Sequence, residues 1–289
     1  MKKISSSPLF WGTFIATVCQ VLTLYLVPRE KAFIEAEQIV APEVGTSFAI
    51  IYFLATVAVM GIVLWLLPAR FLKIVIRFLF VALYSWGVLV FASLAFPMPL
   101  ELAVILAVAS GVARLIFPKV WLHDLLMALA LVSSGAVFGF IFAPWAVIVI
   151  LLAISIYDVL AVRIGYMLWM VSRLGAVEIP PAFIIPKEAS DWNLSLKGTV
   201  LSSLLDEKPS EREFSILGGG DIGLPLAFVV SVAFAYGFAH ALIVAVFSVL
   251  GVAFAYLIQI FLFKGKPLPA LLPITALALL GFLVAITVL

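Results

Sequence analysis

Two aspartates lie inside long apolar stretches of the sequence, where a carboxylate is costly. Asp158 lies within the apolar segment 145–166, and Asp221 lies within the apolar segment 216–238. The other acidic residues lie in loops or near the ends of apolar segments. A carboxylate at the centre of a membrane helix costs on the order of 3 kcal/mol, so an aspartate there indicates a functional site.

The spacing predicts that these two aspartates lie at one depth. At 1.5 Å per residue, Asp158 is roughly 12 Å from the end of its segment near Tyr166, and Asp221 is roughly 8–9 Å from the start of its own near Ser215. Two carboxyl groups in contact cannot both ionise, so they share a proton. The ionised carboxylate would take a proton from an attacking water, and the protonated one would support the developing oxyanion. The pair titrates as a unit, so the sequence does not assign the acid and the base.

Each aspartate also has a purely structural explanation. Asp221 could be a first-turn acid of a helix that starts late, with the three preceding glycines as its lead-in. Asp158 could be neutralised by Arg163 or carried as a protonated acid in a packed bundle. Small residues on the helical face of Asp158 would let another helix approach, and these are Ser155, Ala161 and Gly165.

The composition identifies the elements that must position this pair. The chain has 289 residues, of which 66% are hydrophobic and 11% are charged, and its mean hydropathy is +1.31. These values predict an all-α, multi-pass integral membrane protein, located in the cell membrane if the source is prokaryotic. Nine apolar segments account for most of the chain, so residues 1–289 are predicted to form a single membrane domain. The predicted spans are 9–27, 47–67, 74–96, 98–117, 121–142, 145–166, 216–238, 241–263 and 268–289.

The basic residues predict the orientation of these spans. Of the 17 Lys and Arg residues, only Arg29 and Lys31 lie on the side opposite the N-terminus. Short cytoplasmic loops are enriched in Lys and Arg, so the N-terminus is predicted to be cytoplasmic and the C-terminus outside. The cytoplasmic loop 172–214 is long and rich in proline and charge, which predicts partial disorder. This loop could be a tether or could admit a substrate.

Charge and residue counts exclude several other kinds of site. The net charge of +2 is too small for a nucleic-acid partner. Cys19 is the single cysteine, which excludes an internal disulfide and a cysteine-rich zinc site. His123 and His240 fall in or near predicted loops and offer no metal site. We therefore expect neither a metal nor a cofactor, and the sequence predicts no particular oligomeric state.

Three short motifs carry a resemblance to a known family. Tyr157-Asp158 in the sixth span, Gly218-Gly219-Gly220-Asp221 in the seventh and Pro269-Ala270-Leu271 at the start of the ninth resemble the YD, GxGD and PAL motifs of the presenilin and signal peptide peptidase family. Members of that family are intramembrane aspartyl proteases. The cytoplasmic N-terminus resembles presenilins, and the short loop resembles their stand-alone microbial homologues. One departure is that Gly219 occupies the variable position of GxGD.

The resemblance implies a role for each motif. Asp158 and Asp221 would be the catalytic pair, supported by Tyr157 and the glycines. The segment Pro269-Ala270-Leu271 would be a wall of the active site, although on spacing alone it is an ordinary first-turn proline. The partners would be the lipid bilayer and substrates with a transmembrane helix. Such a helix must unwind to be cut, and Phe214 and Ser215 could offer its freed backbone groups a strand edge.

Other classes of protein compete with the protease interpretation. HExxH and GxSG, the motifs of zinc and rhomboid proteases, are absent from the sequence, and prepilin-type peptidases with GxGD have fewer spans and no PAL motif. A proton-coupled transporter would also need membrane aspartates, but it would be expected to show more polar residues along a path. A non-catalytic scaffold that binds partner helices is the third alternative. Its packing positions would be Gly111, Gly135, Gly139, Gly237 and Gly251.

Overall fold

Nine α-helices and one two-stranded sheet make up the described part of the chain. The computed structural model describes residues 7–40, 45–165, 180–196, 214–263 and 268–289. The helices are α1 (Ser7–Ala36), α2 (Thr46–Leu66), α3 (Ala69–Ala95), α4 (Leu100–Ile116), α5 (Val120–Ile141), α6 (Pro144–Arg163), α7 (Gly219–Tyr236), α8 (Phe238–Phe261) and α9 (Leu271–Val288). The strands are β1 (Ala182–Pro186) and β2 (Phe214–Gly218), and a short 3-10 helix spans Ala189–Asn193.

Seven of these nine helices are long and apolar enough to cross a membrane. They are α1, α3 and the five from α5 to α9. In the described part of the chain, α4 has 17 residues, and the apolar part of α2 covers residues 50–63. The expectation of an all-helical, multi-pass membrane protein is therefore confirmed.

The first helix is longer than the sequence predicted. Pro28 was expected to end the span at residue 27, but α1 runs through it to Ala36 over 30 residues, or about 45 Å. A proline removes one backbone donor, and membrane helices tolerate it when other groups supply bonds. Pro28 leaves the carbonyl of Leu24 without its helical donor, and the neighbouring carbonyl of Tyr25 accepts a hydrogen bond from Arg29 Nη1 at 3.0 Å, with the guanidinium stacked over the Tyr25 ring.

Helix α7 lies at the centre of the bundle, and most of its residues are buried. It packs against α1, α5, α6, α8 and α9. Two glycines of α5 allow the closest of these approaches: a Cβ at Gly135 would lie 2.8 Å from Leu226 Cβ, and a Cβ at Gly139 would lie 2.7 Å from the carbonyl oxygen of Ala227. Small residues at such crossings let helix backbones approach closely in membranes.

The other glycines predicted to pack between helices divide into two kinds. A Cβ at Gly251 of α8 would lie 2.8 Å from Ile274 Cα of α9, and Gly111 of α4 faces Ser85 of α3. Gly237 has open space around it and a φ of 101° instead. It therefore forms the turn between α7 and α8, in a backbone conformation that glycine adopts at no steric cost.

The two strands come from different parts of the chain: β1 lies within the predicted loop, and β2 lies directly before the seventh helix. Strands β1 and β2 are antiparallel, with Ala182 opposite Gly218 and Pro186 opposite Phe214. The seventh span was predicted to begin at residue 216, but residues 214–218 form β2 and α7 begins at Gly219. Part of the loop predicted as disordered, 180–196, is thus a strand and a 3-10 helix. Residues 172–179 and 197–213 of the predicted loop lie outside the described residues.

Apolar packing on both faces explains why β1 forms. One face contributes Phe183 and Ile185 to the main core of the bundle, and the other contributes Ile184 to a small cluster with Val120 and Phe214. All five residues of β1 are buried. A short apolar run that is covered on both faces is typical of a buried strand.

Candidate active site

Asp158 lies near the end of α6, five residues before Arg163. Its carboxyl group is half-buried, and its Oδ2 accepts a hydrogen bond from the backbone N–H of Leu271 at 3.4 Å. Leu271 is the first residue of α9, where the initial N–H groups have no partner within the helix. The carboxylate of α6 therefore bonds to an otherwise unpaired donor at the start of α9.

Asp221 lies in the first turn of α7, immediately after β2. Its side chain turns back toward Gly218, the residue that caps the helix, and interacts with the Gly218 backbone N–H. A Cβ at Gly218 would lie only 2.9 Å from Asp221 Oδ2. The first-turn position is the structural alternative raised from the sequence, and the same position turns this carboxyl group toward the end of α6.

The two aspartates approach each other from different helices. They are close enough for their charges to interact, since Asp158 acts electrostatically on Asp221. Two interacting carboxyl groups, half-buried among apolar helices, are unfavourable when both are ionised. The structure thus brings together the residues of three predicted motifs: Asp158, Asp221 and the backbone of Leu271.

The remaining motif residues occupy the surroundings of the pair. Tyr157 precedes Asp158 on α6 and is 44% exposed. Gly219 is buried against Met127 and donates its backbone N–H to the carbonyl oxygen of Pro181 at 3.1 Å. Gly220 has no atom within 4 Å of the position where a Cβ would be. Pro269 and Ala270 lead into α9, with Ala270 at its N-terminal cap.

A buried hydrogen bond between side chains joins the two helices that carry Asp158 and Leu271. The Ser155 hydroxyl of α6 donates to Thr275 Oγ1 of α9 at 2.9 Å, and both residues are buried. Ser155 was predicted from its size to lie at a helix contact. It does lie at the contact of α6 with α9, three residues before Asp158 in the sequence, and its hydroxyl also bonds to Thr275.

We expect Thr275→Val to lower the free energy of unfolding by about 1 kcal/mol, because it leaves the Ser155 hydroxyl buried without its acceptor. Adding Ser155→Ala to Thr275→Val should recover part of that loss. Unfolding in detergent, measured for the two single variants and the double variant, checks this. Ser231→Ala is the matched control, since the buried Ser231 hydroxyl bonds within its own helix. A double variant that is no more stable than Thr275→Val alone would contradict the expectation.

A small cavity beside Asp221 shows a polar residue that sequence reasoning missed. The cavity has a volume of about 10 Å³, and its walls include Gln20 of α1 and Ser248 of α8. Gln20 is buried, and its Oε1 has no hydrogen-bond partner among the described residues. The volume is about the smallest that holds one water molecule. The available signal was a glutamine inside the first apolar segment.

His123 and Asp124 lie near a span end, as expected, but they are buried there. Both belong to the N-terminal part of α5, which begins at Val120. Both contact the backbone of β1. Within the described residues, no group of three or more His, Cys, Asp or Glu side chains is arranged to hold a metal ion.

Comparisons with known proteins agree with this architecture. The family model for signal-peptide peptidase, presenilin aspartyl protease, matches residues 13–289. A presenilin family intramembrane aspartate protease, solved in space group C222, superimposes with a TM-score of 0.65 at 22% identity, covering 98% of this chain and 100% of that chain. A P2 structure with the same description gives a TM-score of 0.63 at 23% identity, covering 98% of each chain. No curated protein matches the chain in sequence.

Proposed function

Because the chain belongs to the signal-peptide peptidase and presenilin family of aspartyl proteases, we propose that Asp158 and Asp221 are the catalytic pair with which it hydrolyses peptide bonds. Membership of this family makes the chain an intramembrane aspartic endopeptidase that acts on transmembrane substrates. The observation that carries the residue assignment is the approach of two membrane aspartates, one at the end of α6 and one at the start of α7.

The proposed reaction needs one proton shared by the pair. The ionised carboxylate takes a proton from a water, whose oxygen attacks the scissile carbonyl carbon. The protonated carboxyl group gives its proton to the oxyanion as it forms. As the C–N bond breaks, the carboxyl group that took the proton from water passes it to the leaving amine, and the other carboxylate recovers its proton as the carbonyl re-forms. The hydrogen bond from Leu271 to Asp158 supports a role for the PAL segment, because it orients that carboxyl group.

The substrate proposal concerns the strand that leads into Asp221. A helix that is cut must first expose a backbone carbonyl, and its freed N–H and C=O groups need partners inside the membrane. Strand β2, which holds the candidates Phe214 and Ser215, ends three residues before Asp221 and could pair with an unwound substrate. Main-chain hydrogen bonds to a sheet edge are a common mode of peptide recognition.

The proposed topology is one membrane domain of nine spans, with the N-terminus cytoplasmic and the C-terminus outside. In support, α2 has 21 residues and α4 has 17, lengths that approach the roughly 20 residues of a membrane span. If all nine helices cross in turn, the end of α6 and the starts of α5, α7 and α9 share one side. Asp158, Asp221 and Leu271 lie at these helix ends, so they would be on the same side of the membrane.

The activity is tested by cleaving a labelled single-span peptide with the purified protein in water enriched in ¹⁸O. We expect two products, with the new carboxyl terminus heavier by about 2 Da, because the attacking water supplies one oxygen. Added hydroxylamine should trap no hydroxamate, since direct attack by water forms no acyl-enzyme. A proton-coupled transporter or a helix-binding scaffold would leave the peptide intact. Intact peptide across several substrates and pH values would contradict the proposed activity.

A further inference from the structure

The N-terminal part of α5 places two buried polar side chains against the edge of β1. His123 Nε2–H donates to the carbonyl oxygen of Ala182 at 2.9 Å, and the backbone N–H of Ile184 donates to Asp124 Oδ1 at 3.0 Å. His123 is fully buried, and Asp124 is 6% exposed. A membrane helix thus supplies both a donor and an acceptor to the backbone of a strand.

A third helix orients the imidazole. The hydroxyl of Tyr84 on α3 lies 3.0 Å from His123 Nδ1 and is itself fully buried. Because Nε2 must donate to a carbonyl, the neutral ring accepts at Nδ1, and the Tyr84 O–H donates to it. The contact therefore runs from α3 through α5 to β1, so the ring has one orientation and one tautomer.

These two bonds reveal which way the backbone of β1 faces. In an antiparallel strand, the N–H and C=O of one residue point to the same side, and successive residues alternate. Ala182 and Ile184 therefore face α5, and Phe183 and Ile185 make the bonds to β2, opposite Leu217 and Ser215. The sheet consequently has one edge closed by the side chains of α5.

The other edge of the sheet belongs to β2. The same alternation turns the backbone groups of Phe214 and Ile216 away from β1, and those of Gly218 as well, whose N–H interacts with the Asp221 side chain. Among the described residues, no further strand pairs with them, since the sheet has two strands. A substrate strand can therefore add at β2, and the His123–Asp124 pair prevents it from adding at β1.

Solvation explains why polar side chains occupy this position. The residues Ala182 and Ile184 are buried, so their edge-facing backbone groups would be unsatisfied against an apolar helix face. An unsatisfied buried polar group costs more free energy than packing alone recovers. Packing between α5 and β1 needs only apolar residues, whereas bonding to the edge of β1 needs a donor and an acceptor at successive positions.

We propose that His123 and Asp124 are positioning residues that hold the register of β1 and, through it, the place at which β2 presents a substrate to Asp221. This inference rests on the proposed function. The connection is short, because Gly219 N–H bonds to Pro181 just beyond the β1–β2 pairs, two residues before Asp221. A slip of two residues along a strand moves the pairing by about 6.6 Å, further than the separation between neighbouring peptide bonds.

The test compares polar and apolar replacements at both positions in the full-length protein. Asp124→Leu and His123→Leu remove the strand contacts, whereas Asp124→Asn keeps an acceptor for Ile184 and His123→Gln keeps a donor for Ala182. For each variant we would measure kcat and KM on one single-span peptide, the cleavage position by mass spectrometry, and hydrogen exchange at residues 182–186 and 214–218. Ser133→Ala is the control, because it removes a buried hydrogen bond from α5 to Gly87 without touching the sheet.

We expect the leucine variants to spread cleavage over neighbouring bonds, to lose about tenfold in kcat/KM, and to exchange at least about tenfold faster at the Ile184 amide. The Asn and Gln variants should restore the parent cleavage position, and Ser133→Ala should never change it. Unchanged cleavage position and exchange in folded leucine variants would overturn the proposal. If those variants do not fold, Asn and Gln variants that shift the cleavage position would overturn it instead. Hydrogen exchange needs no substrate, so a parent protein that cuts nothing would contradict the protease proposal alone.

Discussion

Asp158→Asn and Asp221→Asn should each lower the rate of peptide cleavage by at least about 10³-fold. Each substitution keeps the shape of the side chain but removes a carboxyl group from a pair that must hold one proton between its members. General acid and general base catalysis each contribute about 10²–10⁴-fold, and here both need the pair. The double variant should be no slower than either single variant, since residues that act as a unit are not additive.

The matched control for this prediction is Glu101→Gln. Glu101 is an exposed acid in the first turn of α4, as Asp221 is in the first turn of α7. We expect this variant to cleave at the parent rate, because a first-turn carboxylate adds only a modest helix-dipole term. Initial rates on one fluorescent single-span peptide, with thermal unfolding of each variant, make the comparison. A well-folded Asp158→Asn or Asp221→Asn protein that cleaves at the parent rate would remove that residue from the pair.

Gly218→Ala should reduce kcat/KM by about 10²-fold, whereas Gly220→Ala should change it by less than about twofold. A Cβ at Gly218 would lie 2.9 Å from Asp221 Oδ2 and 3.4 Å from Asp221 Cγ, so the carboxyl group must move. Gly218 has a φ of −58°, which alanine adopts freely, so the obstacle is contact and not backbone strain.

The two glycine variants differ in one property of their surroundings. A Cβ at Gly220 has no atom within 4 Å, and alanine in a helix is favoured over glycine by up to about 1 kcal/mol. Gly220→Ala should therefore be as stable as the parent or more so, which thermal unfolding can measure beside the kinetics. A Gly220→Ala protein as inactive as Gly218→Ala would show that the space at Gly220 is needed for the substrate.

Hydropathy predicted most of the helices because the bilayer imposes a length that a sequence shows directly. The predicted and observed bounds of α5 differ by one residue at each end, at Val120 and Ile141. Local rules were less informative at Pro28, where a proline was expected to end α1. Whether a proline ends a membrane helix depends on how the surrounding helices pack around the bond it lacks, which the local sequence does not show.

Strand β1 could not be predicted, because what stabilises it is distant in the sequence; a strand edge was expected only at Phe214 and Ser215, which lie in β2. The segment Ala182–Pro186 is apolar, but it lies among prolines and charges in a region that reads as a loop. Its partner is β2, and its outer edge bonds to the start of α5, about sixty residues away. Both contacts are tertiary, and neither has a local sequence signal.

The candidate site shows its residue types in the sequence but not the contacts between them. An aspartate inside an apolar segment is visible in a sequence, so Asp158 and Asp221 could be chosen as candidates, and the family resemblance that they carried is confirmed. The bond from Leu271 to Asp158 joins residues 113 positions apart. His123 and Asp124 were passed over because a polar residue near a predicted helix end is normally solvated, and Gln20 because a single uncharged amide inside an apolar segment is a weak signal. The burial of all three depends on neighbouring helices.

The closed edge of β1 has a consequence for the sequences that this protease can accept. If an unwound substrate pairs only with β2, every second substrate residue must offer its amide hydrogen to the strand, and the residues between them need not. The requirement is then mainly a backbone one: proline is excluded at alternate positions near the cut, and the side chains there are left comparatively unrestricted. The protease would thus select its substrates mainly by the absence of proline at every second position near the cut, and less by a consensus of side chains.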